Sequence, residues 1–325
     1  MKHRRIPRAW MLLIFATYGA SGCPNQKDRI TVHTDGGVSI EVEFDTTASD
    51  RGIAVPSFGW SLADRDKRRV AVATFGPGWR LPQNFARPGD PMADTYLQFP
   101  TEVTREERAD GTYYHFRRVY PTRVWARVQM LESEMEDEIL AQVEDLDERD
   151  VEDLSLDERV ILLQGLTRIE NMDWVVLGEA TFRDLTPEGP QDCLLELLNG
   201  TTALLDEVDY EDVASRIYDD DSADEVFEEH IQRLENRASE LISSVLRETC
   251  GYGAELRENF TRRLAWYRAR ADVGGSFDIE VEMPGTIIGS NADSIAGSVA
   301  KWHFGVTRLG EEDVQLMVSS FVPVP

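Results

Sequence analysis

The chain has 325 residues, of which 60 are Asp or Glu and 34 are Lys or Arg, so its formal net charge is −26 at pH 7. This excess of acid opposes binding to nucleic acid, because proteins hold nucleic acid largely by neutralising its phosphates with cationic side chains. The same charge repels anionic lipid headgroups. We therefore expect no nucleic-acid partner and no attachment to a membrane through surface charge.

Residues 1–22 have the three zones of a secretory signal peptide. Residues 1–8 carry four Lys or Arg and no acid, residues 9–16 are apolar, and residues 19–22 are small. The apolar zone extends over about a dozen residues, whereas a membrane-spanning helix needs roughly 20. We predict that residues 1–22 are removed on export. Since they contain four of the 34 Lys and Arg and none of the 60 acids, the mature chain has a net charge of −30.

Cys23 follows this segment directly. The sequence Ala20-Ser21-Gly22-Cys23 resembles the lipobox of bacterial lipoproteins, although that family usually has Leu at the position of Ala20. The resemblance implies that Cys23 is the first residue of the mature chain and carries acyl chains, which anchor a protein stably when there are two or more. An ordinary secretory signal cut near Cys23 is the alternative.

The same resemblance predicts where the protein resides. Many lipoproteins retained at the inner membrane have Asp after the acylated Cys, and this chain has Pro24 there. We therefore expect an exported, membrane-anchored protein on the periplasmic side. The outer membrane is favoured, and the cell surface is an alternative. Residues 23–28 are predicted to be a short polar tether.

Residues 29–120 are predicted to be rich in β-structure. In residues 29–45, apolar and polar side chains alternate on both sides of Asp35-Gly36-Gly37, the pattern of a β-hairpin. A single strand is expected at Val70–Phe75. A second hairpin is expected around Asp110-Gly111.

Residues 121–275 have a helical pattern instead. Apolar residues recur at helical spacing from Val128 to Leu146. Two segments, Ser155–Glu158 and Ser222–Glu225, match the capping box that begins many helices. A coiled-coil-like seam then follows at Phe227, Ile231, Leu234, Ala238, Leu241 and Val245. These patterns predict an antiparallel bundle of four to six helices.

The β pattern returns in residues 276–325. Apolar residues alternate with polar ones from Phe277 to Met283, and two further strands are expected at 299–306 and 313–321. The double change in hydrophobic period predicts an α+β fold, in which an antiparallel β-sheet platform from both chain ends carries a large antiparallel helical-bundle insertion. We expect residues 29–45 and 277–322 to share one sheet. Two independent β units flanking a bundle are the alternative.

A motif near the C-terminus carries a second resemblance. A strand ends in Met283-Pro284-Gly285, Asn291 follows, and the next strand carries Trp302. This order resembles uncharacterised bacterial lipoproteins, among them the mycobacterial LppM-like proteins. The resemblance implies a secreted, anchored α+β domain that handles lipid or envelope components, and it implies no catalytic residues. Taken by itself, Pro-Gly indicates a turn, and Trp302 is typical of a core aromatic residue.

Cys193 and Cys250 remain once Cys23 is acylated. An even number of cysteines in an oxidising compartment favours a disulfide between them. Two separate buried thiols are the alternative.

The sequence contains no motif for catalysis, a metal or a cofactor. Four histidines of the mature chain lack the spacing of metal ligands: His33, His115, His230 and His303. The Gly76-Pro77-Gly78 segment lacks the strand–helix context of a phosphate loop. The acidic residues Asp145, Asp147 and Asp150 lack the Gly and the closing Glu of a calcium loop. Asp219-Asp220-Asp221 is a better candidate for weak divalent binding at a helix start, but we favour a solvated acidic face near a helix N-terminus.

These observations predict a non-catalytic interaction module, anchored in the cell envelope, whose acidic bundle faces another envelope protein. The alternative is a carrier or sensor that holds an apolar or lipid ligand between sheet and helices. An envelope hydrolase is favoured less. The expected partners are the membrane, through the acyl chains, and an envelope protein, and no cofactor or metal is expected.

Overall fold

The computed structural model of the chain divides into two compact units. It describes residues 26–45, 60–65, 68–84, 97–143, 153–217, 220–271 and 275–324. The β unit contains the described residues up to Ala126 and from Gly275 onward, and the helical unit contains those from Arg127 to Ala271. The helices thus form an insertion between strands contributed by both chain ends. The α+β fold class predicted from the hydrophobic periods is confirmed.

The β unit consists of two sheets. The first has the strand order β3-β4-β2-β1-β7-β10-β9 and the second has the order β5-β6-β11-β8. The strands of the first sheet are β1 (Gln26–Val32), β2 (Val38–Asp45), β3 (Ser61–Arg65), β4 (Arg68–Phe75), β7 (Ser276–Glu282), β9 (Ser294–Ala296) and β10 (Val299–Gly305). The strands of the second are β5 (Thr101–Arg108), β6 (Gly111–Tyr120), β8 (Thr286–Ser290) and β11 (Val314–Pro323).

The inner faces of the two sheets pack against each other. The ring of Tyr120 on β6 lies with its centroid 5.6 Å from that of Phe277 on β7 and 5.4 Å from that of Phe304 on β10. Along most of their length, β1, β6, β10 and β11 alternate buried and more exposed residues, as half-buried strands do. Burial of aliphatic side chains such as Ile30 and Leu316, both at most 1% exposed, stabilises this sandwich.

Strand pairing corrects one expectation. β1 and β2 form the predicted hairpin, and β1 also pairs in parallel with β7, so both chain ends do share a sheet. However, β8 and β11 belong to the second sheet, where β11 pairs with β6 and β8. The expectation of one sheet for residues 29–45 and 277–322 was therefore wrong. Alternation shows that a strand has one buried face, but not which of two facing sheets it joins.

The predicted tether also needs correction. β1 begins at Gln26, so residues 26–28 are strand, and Gln26 and Asp28 are buried. Polar side chains suggested a solvated linker, but these two lie on the inward face of β1 in phase with Ile30 and Val32.

The insertion contains six α-helices in its described residues. They are α1 (Val124–Leu140), α2 (Leu156–Leu185), α3 (Gln191–Ala203), α4 (Tyr210–Ser215), α5 (Asp220–Glu248) and α6 (Ala254–Ala271), with a 3₁₀ turn at Leu204–Glu207. A short helix α7 (Arg308–Glu311) precedes β11. Ser155 is the N-cap of α2, and its capping box with Glu158 is formed as predicted. The second predicted box was wrong, since α5 begins at Asp220 and Ser222 lies inside it.

Candidate functional site

The predicted acylation site lies outside the described residues, which begin at Gln26. Cys23 and the signal-peptide interpretation therefore remain predictions. Among the described helices, none combines the length and apolar character needed to cross a bilayer. Asp145, Asp147, Asp150 and Asp219 also lie outside the described residues.

The C-terminal motif forms a joint between the two sheets. Met283 and Pro284 are buried where the chain leaves β7 in the first sheet for β8 in the second. Gly285 adopts φ +77°, and a Cβ there would lie 2.2 Å from the carbonyl oxygen of Phe321 on β11. Both the positive φ and the close approach of β11 favour glycine at this corner.

Asn291 completes the joint. Its side-chain oxygen accepts from the Trp302 indole N–H at 3.1 Å and from the Met317 backbone N–H at 2.8 Å, and its amide donates to the Gln315 carbonyl at 2.7 Å. One amide thus connects β10 of the first sheet to β11 of the second. Trp302 is only 6% exposed. The structure brings the motif residues together, but as structural contacts rather than as an open ligand site.

The two remaining cysteines meet in the helical unit. Cys193, in the first turn of α3, forms a disulfide with Cys250, which lies just after α5, and their Cα atoms are 5.3 Å apart. Cys193 is buried. The bond therefore links α3 to the end of α5.

The four histidines do not converge. Each hydrogen-bonds a different polar side chain: His33 to Ser39, His115 to Ser319, His230 to Thr167, and His303 to Asp278. Burial, together with the nearby Arg233, lowers the pKa of His230 to about 4, so it is neutral in the core. No group of three or more His, Cys, Asp or Glu suited to a metal ion occurs among the described residues.

The His115–Ser319 pair has the geometry of a base and a nucleophile, with Nδ1 2.8 Å from Oγ. The two residues are directly opposite in the β6–β11 ladder, and β6 and β11 are the two central strands of their sheet. Backbone N–H groups there are used in strand pairing, whereas acyl transfer needs N–H groups directed at a developing oxyanion. We interpret this contact as a cross-strand polar pair.

A buried ion pair that sequence reasoning missed lies in the sandwich core. Asp28 on β1 and Arg118 on β6 are each 1% exposed, and Arg118 Nη1 donates to Asp28 Oδ2 at 2.6 Å. Gln26 Nε2 donates to Asp28 at 2.8 Å, the Tyr120 hydroxyl donates to it at 3.3 Å, and Arg118 Nε donates to Thr101 at 2.8 Å. Burial raises the pKa of Asp28, and the Arg118 charge acts in the opposite direction.

The helical unit has a polar core of a different composition. Glu132 on α1 and Glu170 and Asp173 on α2 are each at most 8% exposed. Arg268, in the last turn of α6, donates to Glu170 and, at 2.9 Å, to Glu235 on α5. Its guanidinium lies 4.5 Å from the ring centroid of Trp174, whose indole N–H donates to Glu170 at 3.0 Å. The Arg268 guanidinium thus forms ion pairs with two carboxylates, those of Glu170 and Glu235.

The shortage of positive charge has a consequence for Asp173. Burial raises the pKa of Asp173 well above its ordinary value, and the carboxylates of Glu132 and Glu170 raise it further. Asp173 also hydrogen-bonds to Glu132, and two carboxyl groups can do so only when one of them keeps its proton. We infer that Asp173 keeps a proton, so the cluster is neutralised by that proton as well as by Arg268.

Among the residues that the structure describes, the most exposed aromatic side chain borders a groove in the β unit. The groove has a volume of about 460 Å³ and lies between the loop after β4 and the first half of β5. Trp79, on that loop, is 67% exposed, whereas Val38 and Leu81 are buried and form the base. The loop turns at Gly78, which adopts φ +73°. The Gly76-Pro77-Gly78 segment, which lacks the context of a phosphate loop, is thus followed by an exposed aromatic side chain, Trp79.

A second groove lies on the helical unit between α3 and α5. It has a volume of about 560 Å³, and Leu195, Leu241 and Val245 supply its apolar surface. Leu195 is 46% exposed. Asp192 and Glu196 border it, so its edge is acidic.

Comparison with known proteins adds no assignment, since the chain matches no protein-family model, no curated protein and no solved structure. Function must therefore be inferred from the geometry of the molecule itself.

Proposed function

We propose that this protein is an exported lipoprotein, anchored in the cell envelope through acyl chains on Cys23, that acts as a non-catalytic interaction module. We assign its binding surface to the groove beside Trp79. The observation that carries this assignment is the exposure of 67% of a tryptophan above a base of buried aliphatic side chains. Tryptophan is enriched among residues that dominate binding energies, and a monomer gains nothing by leaving so large an apolar side chain in water.

Binding is favoured over catalysis by the surroundings of the polar groups. The buried carboxylates of both units are neutralised by an arginine or a retained proton and lie in closed cores. The partly exposed His115–Ser319 pair lies on the two central strands of its sheet, each of which pairs with a strand on both sides. A nucleophile needs an activating base and oxyanion donors around an accessible reacting atom.

A protein partner is favoured over a lipid by the charge of the second groove. A lipid carrier would use an apolar groove, and the one between α3 and α5 has the required side chains. Its acidic edge at Asp192 and Glu196 repels anionic headgroups, however. The carrier function therefore remains the second candidate, supported by the exposed Leu195.

The anchor is tested by replacing its attachment site. We expect Cys23→Ala to move the protein from the membrane pellet to the soluble fraction, because the acidic surface offers no other attachment. Ile295→Ala, at a position 51% exposed on β9, leaves both Cys23 and the disulfide intact and is the control, expected to stay in the pellet. Equal pelleting of Cys23→Ala and the natural chain would contradict the lipoprotein proposal.

The binding surface is tested by site-specific photo-crosslinking in cells. A photoreactive amino acid at position 79 should give a discrete cross-linked adduct, since Trp79 borders the groove. The same group at Ile295, 51% exposed on the edge strand β9, is the control and should give none. Adducts of equal yield at both positions, or none at either, would remove the groove as the interaction surface.

A further inference from the structure

The Trp79 groove runs along an edge of the second sheet. β5 is the outermost strand, and its only strand partner among the described residues is β6. The Val119 N–H donates to the Pro100 carbonyl at 3.0 Å, so this cross-strand pair is a hydrogen-bonded one. Hydrogen-bonded and non-hydrogen-bonded pairs alternate in an antiparallel ladder. The N–H and C=O of Val103 and Glu107 therefore point away from β6, toward the open edge.

Most of this edge is closed to strand addition. Before β5, the Phe99 N–H donates to the Gln83 carbonyl at 2.7 Å, so the loop covers the edge there. In the second half of β5, charged side chains pair along the strand, Arg105 with Glu107 at 2.5 Å and Arg108 with Glu106 at 2.7 Å. Charged side chains are a common protection of edge strands against unwanted pairing.

The segment Thr101–Thr104 has a single charged side chain, Glu102, and lines the groove. No described residue forms a hydrogen bond with the outward N–H or C=O of Val103. Trp79 offers apolar surface beside it, next to the buried side chains of Val38 and Leu81. Unpaired backbone next to apolar wells is the arrangement that accepts an extended peptide, since backbone hydrogen bonds supply affinity and the wells take alternate side chains.

Charge indicates the kind of peptide. The chain has a net charge of −26, which attracts cationic segments and opposes the pairing of two copies of the chain. The groove itself is lined by one exposed carboxylate, Glu102, and one exposed guanidinium, Arg80, so the preference for a cationic segment comes from the net charge of the whole chain. The strand that already pairs with β5 places Arg117 opposite Glu102. A basic side chain on the added strand would meet the same carboxylate from the other side.

We propose that the segment Thr101–Thr104 of β5 binds an extended, basic segment of another protein as an added β-strand, with Trp79 contacting its side chains. This inference rests on the proposed function, because it names the kind of partner that the Trp79 groove takes. The central contacts are the backbone N–H and C=O of Val103.

The test removes one backbone donor. Val103→Pro deletes the outward N–H but leaves the β5–β6 ladder complete, because proline is tolerated on an edge strand where its missing N–H faced solvent. Glu107→Pro is the matched control, since it deletes an outward N–H in the protected half. Phage-displayed random peptides are selected on the full-length chain in detergent, and the selected peptides are measured by fluorescence anisotropy against both variants.

We expect basic peptides whose affinity falls about tenfold or more in Val103→Pro, as loss of a buried hydrogen bond predicts, and is unchanged in Glu107→Pro. Bound peptide should also slow amide exchange at Val103 but not at Glu107. Circular-dichroism melts of both variants check that the sheet is intact.

Three results would overturn the inference. They are a selection that yields no peptide, peptides that bind Val103→Pro as tightly as the natural chain, and a concentration-dependent dimer that Val103→Pro abolishes, which would make the occupant a second copy. Cross-linking at position 79 separates the two proposals. An adduct that persists unchanged in Val103→Pro refutes strand addition and leaves the interaction module in place.

Discussion

The β unit and the helical unit both bury charge, but they balance it differently. In the sandwich, one carboxylate meets one guanidinium, since Asp28 and Arg118 pair at 2.6 Å with four further hydrogen bonds around them. In the helical unit, Arg268 contacts Glu170 and Glu235 while Asp173 and Glu132 lie beside them. The sandwich matches its charges, and the helical unit has an excess of acid.

This difference determines what neutralises each buried acid. The charge next to Asp28 opposes the effect of burial on its pKa, whereas the charges next to Asp173 add to that effect. A buried carboxyl with a counter-ion can stay ionised, but one among other carboxylates keeps a proton. The stability of the helical unit should therefore depend on pH through Asp173, and that of the sandwich through the integrity of an ion pair.

The largest expected effect comes from separating the two regions. We expect the sandwich to keep a cooperative, β-rich thermal melt when residues 127–272 are replaced by a short Gly/Ser linker, because both of its sheets and its ion pair are complete without them. Circular dichroism would show the helical signal lost and the β signal kept. An unfolded product would contradict the independence of the two units.

Within the sandwich, loss of the buried counter-ion should be the costliest single substitution. Asp28→Ala leaves Arg118 charged and unpaired in the core, and we expect it to lower the free energy of unfolding by about 3–5 kcal/mol. Glu41→Ala is the control, because it breaks an ion pair with Arg29 that is partly exposed and should cost about 1 kcal/mol or less. Urea denaturation measures both. A cost for Asp28→Ala no greater than for Glu41→Ala would show that the pair does not stabilise the sandwich.

The disulfide should matter to the helical unit alone. It closes a loop of 57 residues, for which the chain-entropy model gives about 4 kcal/mol. We expect the double variant Cys193→Ser and Cys250→Ser to unfold the helices at lower urea concentration and to leave the sandwich transition in place. Thiol labelling of the denatured, unreduced chain is the direct check, and two labelled thiols in addition to any at Cys23 would reject the bond.

The smallest expected effect is a change in how the free energy of unfolding depends on pH. This effect is the one most specific to the excess of acid in the helical unit. Because the folded pKa of Asp173 is raised, the unfolded chain releases this proton first as pH rises. The free energy of unfolding should therefore fall as pH rises from about 4, the ordinary pKa of Asp, through the folded value. Asp173→Asn keeps a neutral donor to Glu132, so it should remove this fall and be more stable than the natural chain at neutral pH. Asp184→Asn is the control, since Asp184 is 39% exposed and paired with Arg263. Parallel pH profiles for Asp173→Asn and the natural chain would contradict the retained proton.

Local periodicity determined the fold class and most strands and helices of this protein. The hairpin from Gln26 to Asp45, the capping box at Ser155 and the strand from Ser276 follow from patterns confined to a few neighbouring residues. The same alternation also indicates the buried ion pair that sequence analysis missed. Asp28 is in phase with Ile30 and Val32, and Arg118 is in phase with Phe116 and Tyr120, so the alternation alone places both charges on buried faces.

Tertiary structure determined the contacts that hydrophobic periodicity does not predict. An alternating strand has a buried face, but only the packing of two sheets showed that β11 pairs with β6 and that Asp28 meets Arg118 from 90 residues away. The exposure of Trp79 and the position of β5 at the end of its sheet, as far as the described residues show it, likewise depend on which strands and loops are neighbours. Hydrophobic period is a property of adjacent residues, whereas charge pairing, grooves and sheet edges arise from residues distant in the chain, and one sequence without its fold does not specify those contacts.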